Sequence, residues 1–172
     1  MTLKSIQMKD LQQFIEAVKE SKKELNQWMR WCNKDYSDLD ANLFIKRATS
    51  NSDSNKEMHF VIRSGNRFIG MCALNNIDSS NECANLAYWI RTSECKKGFA
   101  TKAVEMLIKY AFQQLQGINR IEIVCSTENV GSQKVANKVG AQREGILREK
   151  IKLGNKFHDA VVYYLLRSDM AI

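Results

Sequence analysis

The sequence predicts an α+β domain, in which helices pack on a mixed, mostly antiparallel sheet. Apolar residues recur with a period of two in residues 59–64, 67–74 and 84–90, which is the spacing of strands. From Ala100 to Ala111 they recur at i, i+3, i+4, i+7, i+8 and i+11, which gives a helix with one apolar face. Both patterns occur in one short chain, so we expect strands and helices to share a core.

The N-terminal half is predicted to contain a strand and three helical stretches. Residues 3–8 alternate as a first strand does, and Asp10 with Gln13 three residues later predicts a capping box at a helix start. A third helical stretch begins near Ser37, and residues 50–55 are a polar loop. The apolar residues of the second and third stretches are Leu25, Trp28, Met29, Leu39, Leu43 and Phe44.

Shorter elements are predicted after the long helix. Residues 120–126 have the pattern of a strand, and a short helix follows that ends at Gly140. Residues 146–153 and 157–166 form a closing hairpin around a Gly-Asn turn. No repeat, low-complexity segment or proline- or glycine-rich linker interrupts the chain, so we expect one domain over residues 1–172.

The composition is that of a soluble globular protein. Of the 172 residues, 44% are hydrophobic and 26% are charged, and no apolar run approaches the roughly 18 residues of a membrane span. The N-terminus lacks the apolar core of a secretory signal, which predicts a cytoplasmic protein without membrane attachment. Five scattered cysteines without a Cys-x-x-Cys pair argue against a disulfide framework or a metal site. The net charge of +7 favours anionic partners in general.

A candidate anion site lies where the strand at residues 84–90 leads into the long helix. A helix N-terminus offers unpaired N–H groups, and a glycine there lets an anion approach the main chain. An ordinary loop with solvated lysines is the alternative. Neither GxxxxGK[ST] nor GxGxxG is present. The sequence therefore lacks the motifs that typically bind a nucleoside triphosphate or a dinucleotide. The residues of this turn are Lys96, Lys97, Gly98, Phe99, Ala100 and Thr101.

The order of the elements and several motifs resemble the GCN5-related N-acetyltransferases (GNAT), and in particular the branch that acetylates ribosomal-protein N-termini. That family carries Q/R-x-x-G-x-G/A between a strand and a helix. Here Gly98 and Ala100 match the motif, while Cys95 stands where Gln or Arg is usual. The resemblance implies the GNAT fold, with a sheet that is splayed at the cofactor site and flanked by helices.

Further motifs extend the resemblance over nearly the whole chain. Asn129 and Ser132 match the N-x-x-S of the branch, and Gly140-Ala141 followed by Glu144-Gly145 matches its next block. Residues 28–37 are similar to its tryptophan-rich segment, and Asp159 with Tyr163 fits its final strand.

The resemblance implies where acetyl-CoA binds. The turn at 96–101 would hold the pyrophosphate, and the backbone of Ile90 and Arg91 would pair with the pantetheine arm. A main-chain N–H of the same strand would stabilise the oxyanion. Ser132 would donate a hydrogen bond to the departing thiolate, and Asn129 would hydrogen-bond pantetheine or acceptor. The alternative for Ser132 is a helix-capping or surface serine, and the alternative for Asn129 is a helix cap.

The general base and the acceptor pocket are less fully specified. The branch often has an acidic residue at the position of Ile151, so we consider Glu149, on the same face by strand alternation, and Glu122 as substitutes. Either could instead be a solvated or salt-bridged glutamate. The aromatic residues Trp28, Trp31 and Tyr36 are candidates for the acceptor pocket, although Trp28 could equally be core.

The resemblance thus implies an acetyl-CoA-dependent N-acetyltransferase that uses no metal and modifies a primary amine, above all a protein N-terminal α-amino group. Acetylation of a polyamine or an antibiotic is an alternative, as is a noncatalytic acyl-CoA sensor. A nucleic-acid-binding module is disfavoured because the basic residues are dispersed among acidic ones. The sequence leaves open whether the protein forms a homodimer.

Overall fold

The computed structural model describes residues 1–50 and 56–170, which form seven strands and four helices. The strands are β1 (Thr2–Ser5), β2 (Met58–Ser64), β3 (Arg67–Asp78), β4 (Cys83–Ile90), β5 (Arg120–Ser126), β6 (Gln142–Leu153) and β7 (Lys156–Leu166). The helices are α1 (Leu11–Trp28), α2 (Asp38–Ser50), α3 (Phe99–Gln114) and α4 (Val130–Lys138). Short 3-10 turns lie at Met8–Asp10, Thr92–Glu94 and Arg167–Asp169.

The seven strands form one sheet in the order β1-β2-β3-β4-β5-β7-β6. Only β4 and β5 run parallel, at the centre, and every other pair is antiparallel. The predicted α+β class and the mostly antiparallel sheet are confirmed. The parallel pair is joined by α3, because parallel neighbours need a crossover connection.

The sheet separates two apolar clusters. On one face, α3 and α4 cover a cluster that includes Leu107, Ile121 and Ile123, all almost fully buried. On the other face, α1 and α2 cover a smaller cluster around Phe14 and Trp89. Burying side chains on both faces fixes the register of the central strands, since a one-residue slip would exchange the two sets.

The N-terminal helices differ from the prediction in two ways. The first two helical stretches form one helix, α1, which continues to Trp28. The capping box of Asp10 and Gln13 is wrong, because the Asp10 carboxylate caps no N–H of α1. It instead accepts from Gln7 N–H at 2.9 Å and pairs with Arg63 at 2.6 Å. A buried carboxylate gains more from a guanidinium than from an exposed helix end.

Several other elements agree with the prediction. The β2–β3 and β6–β7 hairpins form, α3 buries Ala103, Val104, Leu107, Ile108, Ala111 and Phe112, and Ser37 caps α2 in a reciprocal pair with Asp40. The first strand is shorter than expected and ends at Ser5. Of the predicted polar loop, Ser50 ends α2 and residues 51–55 lie outside the described residues. Within the described part of the chain, no helix combines the length and apolar character that crossing a membrane requires.

Candidate active site

The central parallel strands open into a cleft. Their pairing covers Cys83 with Arg120, Ala84 with Ile121 and Asn85 with Glu122, and stops there. From residue 86 onward β4 stays with β3, while β5 continues with β7. The two strands therefore diverge toward their carboxyl ends and leave a wedge-shaped opening in the middle of the sheet, as the resemblance implies.

One edge of this opening carries main-chain groups that no strand of the described residues pairs with. Arg91 N–H donates to Ile69 O at 2.8 Å, on the β3 side. Because successive peptide groups of a strand face opposite sides, the N–H and C=O groups of Leu86, Tyr88 and Ile90 face the opening. They can pair with an extended amide-containing arm. The bond to Ile69 removes Arg91 N–H from the predicted pantetheine contacts, and Ile90 remains.

The turn before α3 has the backbone of an anion site. Gly98 has φ of 85° and precedes the first residue of α3, and Lys96 also has a positive φ, of 62°. A Cβ on Gly98 would meet no atom within 4 Å, so the left-handed conformation, not space, requires the glycine. Alternating left-handed residues turn successive N–H groups toward one concave surface at a helix start, where an anion is stabilised.

Helix α1 and strand β3 hold this turn in place. Ser21, buried on α1, accepts from Thr92 N–H at 3.0 Å, and Glu20 accepts from Ser93 N–H at 3.0 Å. Glu94, also buried, pairs with Arg67 of β3 at 2.8 Å. The turn is therefore anchored before any ligand arrives, which lowers the ordering cost of binding. Sequence reasoning missed these anchors, because Ser21 and Thr92 lie 71 positions apart and only the fold joins them.

The two lysines of the turn have different roles in the structure. Lys97 Nζ pairs with Glu94 at 3.0 Å, so its charge is already partly neutralised. Among the described residues, Lys96 has no ion-pair partner and is exposed. Of the two predicted cations, Lys96 is the one whose charge remains available to a phosphate.

We expect Lys96→Gln to raise the KM for acetyl-CoA about threefold to tenfold, since removing one unpaired charge from an anion site costs about 1 kcal/mol. Lys97→Gln should raise this KM less, because Glu94 already neutralises Lys97. Initial rates at varied acetyl-CoA measure both values. A larger effect at Lys97 than at Lys96 would contradict this assignment.

Cys95 stands where the family motif usually has Gln or Arg. Its Sγ lies 3.5 Å from Arg91 O and 3.7 Å from Ile90 O, and burial raises the pKa of the thiol. The neutral thiol therefore contacts the end of β4 and supplies no cation to the turn. This supports a turn that relies on its main chain and on Lys96.

Ser132 lies in the first turn of α4, near the carboxyl end of β5. Asn129 caps this helix, since its Oδ1 accepts from Ser132 N–H at 3.0 Å. The capping alternative for Asn129 is thus what the structure shows. Tyr88 Oη lies 3.0 Å from Ser132 Oγ. Burial raises the pKa of the neighbouring Cys125 thiol, and Ser132 partly offsets this rise. Tyr88, Cys125 and Ser132 come from the three elements that surround the opening.

The two candidate glutamates lie in different surroundings. Glu122 is salt-bridged to Arg120 at 2.8 Å, in agreement with the structural alternative. Glu149 is exposed and sits in a bulge, where four steps along β6 from Leu147 to Ile151 match only two on β7. The alternation argument for Glu149 is therefore wrong, because a bulge breaks the period of two. Neither residue lines the cleft described next.

A second cleft of about 870 Å³ lies on the α1–α2 face of the sheet and reaches β4 at Tyr88. Trp31 and Tyr36, two of the three predicted acceptor residues, line it, while Trp28 does not. The Trp31 ring packs against those of Tyr36, Trp89 and Phe14. The segment between α1 and α2 therefore forms one wall.

Strand register sets the floor of this cleft. His59 lies opposite Ala73, and Ala73 lies opposite Ala87, so the three form one row across β2, β3 and β4. Because two of these three side chains are alanines, they extend only a short way above the sheet and leave room for a ligand there. At its far end His59 Nε2 contacts Glu57 Oε2 at 3.1 Å. Residue spacing alone gave no signal for this row, because it is formed by pairing between distant segments.

The described residues contain no group of three or more His, Cys, Asp or Glu side chains fit to hold a metal ion. The site thus consists of a main-chain edge, a helix-start turn, a hydroxyl cluster and an adjoining cleft. A family model described as an acetyltransferase (GNAT) domain matches residues 1–142. The chain belongs to the GNAT acetyltransferase family. It is accordingly an acetyl-CoA-dependent acyltransferase.

Sequence relatives agree with this membership, and solved structures share the fold. The Bacillus subtilis protein YdaF, a proposed ribosomal N-acetyltransferase, is 28% identical over 170 residues, which cover 98% of this chain and 92% of YdaF. The fold matches RimL, the ribosomal L7/L12 α-N-protein acetyltransferase, in complex with coenzyme A (TM-score 0.90, 20% identity, 95% and 92% of the two chains). It also matches Vibrio cholerae spermidine N-acetyltransferase with CoA and spermine (TM-score 0.80, 23% identity, 97% and 95%).

Proposed function

We propose that this GNAT enzyme acetylates a protein N-terminal α-amino group, by direct attack of the amine on acetyl-CoA in a ternary complex. The observation that carries the proposal is the joining of two clefts at β4. The opening between β4 and β5 suits the cofactor arm, and the cleft on the α1–α2 face reaches the same strand at Tyr88. YdaF, similar over nearly its full length, supports a ribosomal acceptor.

Each part of the site has a role in this reaction. The turn around Gly98 would hold the pyrophosphate, and the β4 main chain would bind the pantetheine amides and stabilise the oxyanion. The neutral amine nitrogen attacks the thioester carbon, a C–N bond forms, the C–S bond breaks, and the amine proton leaves to solvent. Ser132 donates a hydrogen bond to the thiolate. Positioning of the two substrates supplies much of the acceleration.

The walls of the acceptor cleft favour a peptide over a small polycation. Aromatic rings line the cleft, and its charged side chains are of both signs, with Arg47 among Asp35, Asp40 and Glu57. Hydrogen bonds from Ser37 hold the pKa of Asp40 below its usual value, and the same bonds commit this carboxylate to the start of α2. Fewer free carboxylates then remain to bind the several charges of a polyamine.

Acetylation of a polyamine is the second candidate. The carboxylates of Asp35 and Glu57 in the cleft are the observation that favours it, since they would attract ammonium groups. A structural neighbour that binds spermine shows that this fold can hold such acceptors.

A panel of acceptors distinguishes the candidates. We expect release of free thiol from acetyl-CoA with peptides that begin with Ser, Ala or Met, at kcat/KM values above those for spermidine and spermine. Mass spectrometry of the peptide products should place the acetyl group on the α-nitrogen. Higher kcat/KM for the polyamines would favour the second candidate. Tight acetyl-CoA binding with no thiol release from any amine would favour the noncatalytic sensor.

Trp31 provides a test of the acceptor cleft. We expect Trp31→Ala to raise the KM for the acceptor about fivefold to twentyfold, since an aromatic wall contributes about 1–2 kcal/mol to binding. The KM for acetyl-CoA should change less than twofold. Trp28→Ala is the matched control, because Trp28 ends α1 and is not among the residues that line the cleft. Equal effects of the two substitutions would place the acceptor elsewhere.

A further inference from the structure

Tyr88 connects the main-chain edge of the opening to the proposed thiolate donor. Its peptide group lies on the edge of β4 that faces the opening, and its side chain extends to the α3–α4 face. There Tyr88 Oη lies 3.0 Å from Ser132 Oγ. Burial raises the pKa of Tyr88 to about 12, so the phenol keeps its proton at any working pH.

The direction of this hydrogen bond follows from the partners available. A protonated, partly buried phenol needs an acceptor, and Ser132 Oγ is the acceptor that the described residues provide. A serine hydroxyl has two lone pairs and one proton. When Tyr88 donates into one lone pair, the Ser132 proton is left to point at a third group. Burial keeps the nearby Cys125 thiol neutral, and a neutral thiol is a weaker acceptor than a thiolate in the opening.

From this geometry we propose that Tyr88 is a positioning residue for Ser132: its O–H fixes the rotamer of Ser132 so that the Ser132 O–H donates to the sulfur of CoA. The inference rests on the proposed role of Ser132 and extends it to a residue that sequence motifs did not indicate. Tyr88 acts through Ser132 and need not touch the substrate.

The raised pKa of Tyr88 disfavours its phenol as the source of the proton. A thiol has a pKa of about 8.5, well below the value of about 12 for Tyr88, so transfer from phenol to thiolate is uphill. Tyr88 therefore orients and polarises Ser132, and the thiolate is stabilised by the hydrogen bond. Removing the phenol hydroxyl should lower kcat by the same factor at every pH. The shape of the pH profile of kcat should not change.

Kinetics of Tyr88→Phe test the proposal, since only the hydroxyl is lost. We expect kcat to fall about tenfold, within the coupling range of residues in one hydrogen-bond network, and the KM for acetyl-CoA to stay within twofold. In a Ser132→Ala background the same substitution should have no further effect on kcat. Tyr164→Phe is the matched control, because Tyr164 Oη also donates to a side chain, Gln142, at 3.1 Å, but on the β6–β7 side.

A second readout needs no acceptor and no turnover. In the complex with CoA, the pKa of the bound CoA thiol is measured from thiolate absorbance against pH, with the complex of desulfo-CoA subtracted to remove the protein cysteines. We expect Tyr88→Phe and Ser132→Ala each to raise this pKa by about half a unit or more, because the thiolate loses its donor. Tyr164→Phe should leave it unchanged.

The outcomes separate the two proposals. If the protein acetylates no amine but Tyr88→Phe raises the pKa of bound CoA, the proposed function fails and the role of Tyr88 stands. If kcat and the pKa of bound CoA are unchanged in Tyr88→Phe, the role of Tyr88 is refuted. A loss of kcat that persists fully in the Ser132→Ala background would also refute it, since Tyr88 would then act by packing alone.

Discussion

Ser132→Ala is expected to lower kcat about 10-fold to 100-fold while the Kd for acetyl-CoA changes less than twofold. A donor aimed at charge that develops only in the transition state contributes to kcat and little to ground-state binding. The prediction rests on the position of Ser132, which lies in the first turn of α4 beside Tyr88, next to the opening between β4 and β5. The loss should be smaller than for an oxyanion donor, since a thiolate is already a moderate leaving group.

Initial rates of thiol release, together with calorimetric titration of acetyl-CoA, measure the two quantities separately. Ser80→Ala is the control, because Ser80 lies exposed in the turn between β3 and β4. The helix itself should survive the substitution, since Asn129 accepts from the backbone N–H of residue 132 and not from its side chain. A weaker acetyl-CoA affinity with unchanged kcat would show that Ser132 binds the cofactor and takes no part in the chemistry.

The turn at residues 96–101 could be predicted from sequence because its physics is local. A glycine with positive φ, a helix start and adjacent lysines all lie within six residues. What the sequence could not indicate is which lysine is free. Lys97 is paired with Glu94, and Glu94 is held by Arg67, 27 residues earlier on β3.

The acceptor cleft shows the opposite case. Its floor, the row of His59, Ala73 and Ala87, exists only because three strands pair in one register. No spacing within a single segment marks these residues. The contact of Tyr88 with Ser132 was not predicted for the same reason, since the two residues are 44 positions apart. Sequence motifs predict local geometry, whereas contacts between distant segments become visible only in the folded structure.

Two errors in the prediction arise from competition between local and tertiary contacts. Asp10 has the sequence context of a helix cap, but Arg63 on β2 draws its carboxylate away from the helix. Glu149 has the spacing of an inward-facing residue, but the bulge in β6 interrupts the alternation, and Glu149 takes φ of 51°. In each case a rule that holds for an isolated helix or strand fails because another strand contacts the residue.

Gly98→Ala is expected to raise the Kd for acetyl-CoA about tenfold or more. Alanine at φ of 85° costs about 1–2 kcal/mol, and the backbone can relieve this strain by leaving the left-handed region. That change would turn the N–H groups at the start of α3 away from one another and disperse the anion site. Because a Cβ here meets no atom within 4 Å, the effect would come from backbone conformation and not from a clash.

Gly154→Ala separates this effect from general strain. Gly154 also has a positive φ, of 58°, with no atom near its Cβ position, but it lies in the β6–β7 hairpin turn. Both variants should lower the Tm by a similar few degrees, as expected for about 1 kcal/mol in a chain of this size. Only Gly98→Ala should weaken acetyl-CoA binding in calorimetric titration. Equal affinities in the two variants would mean that the pyrophosphate is held by side chains, with Lys96 the first to examine, and not by the main chain of the turn.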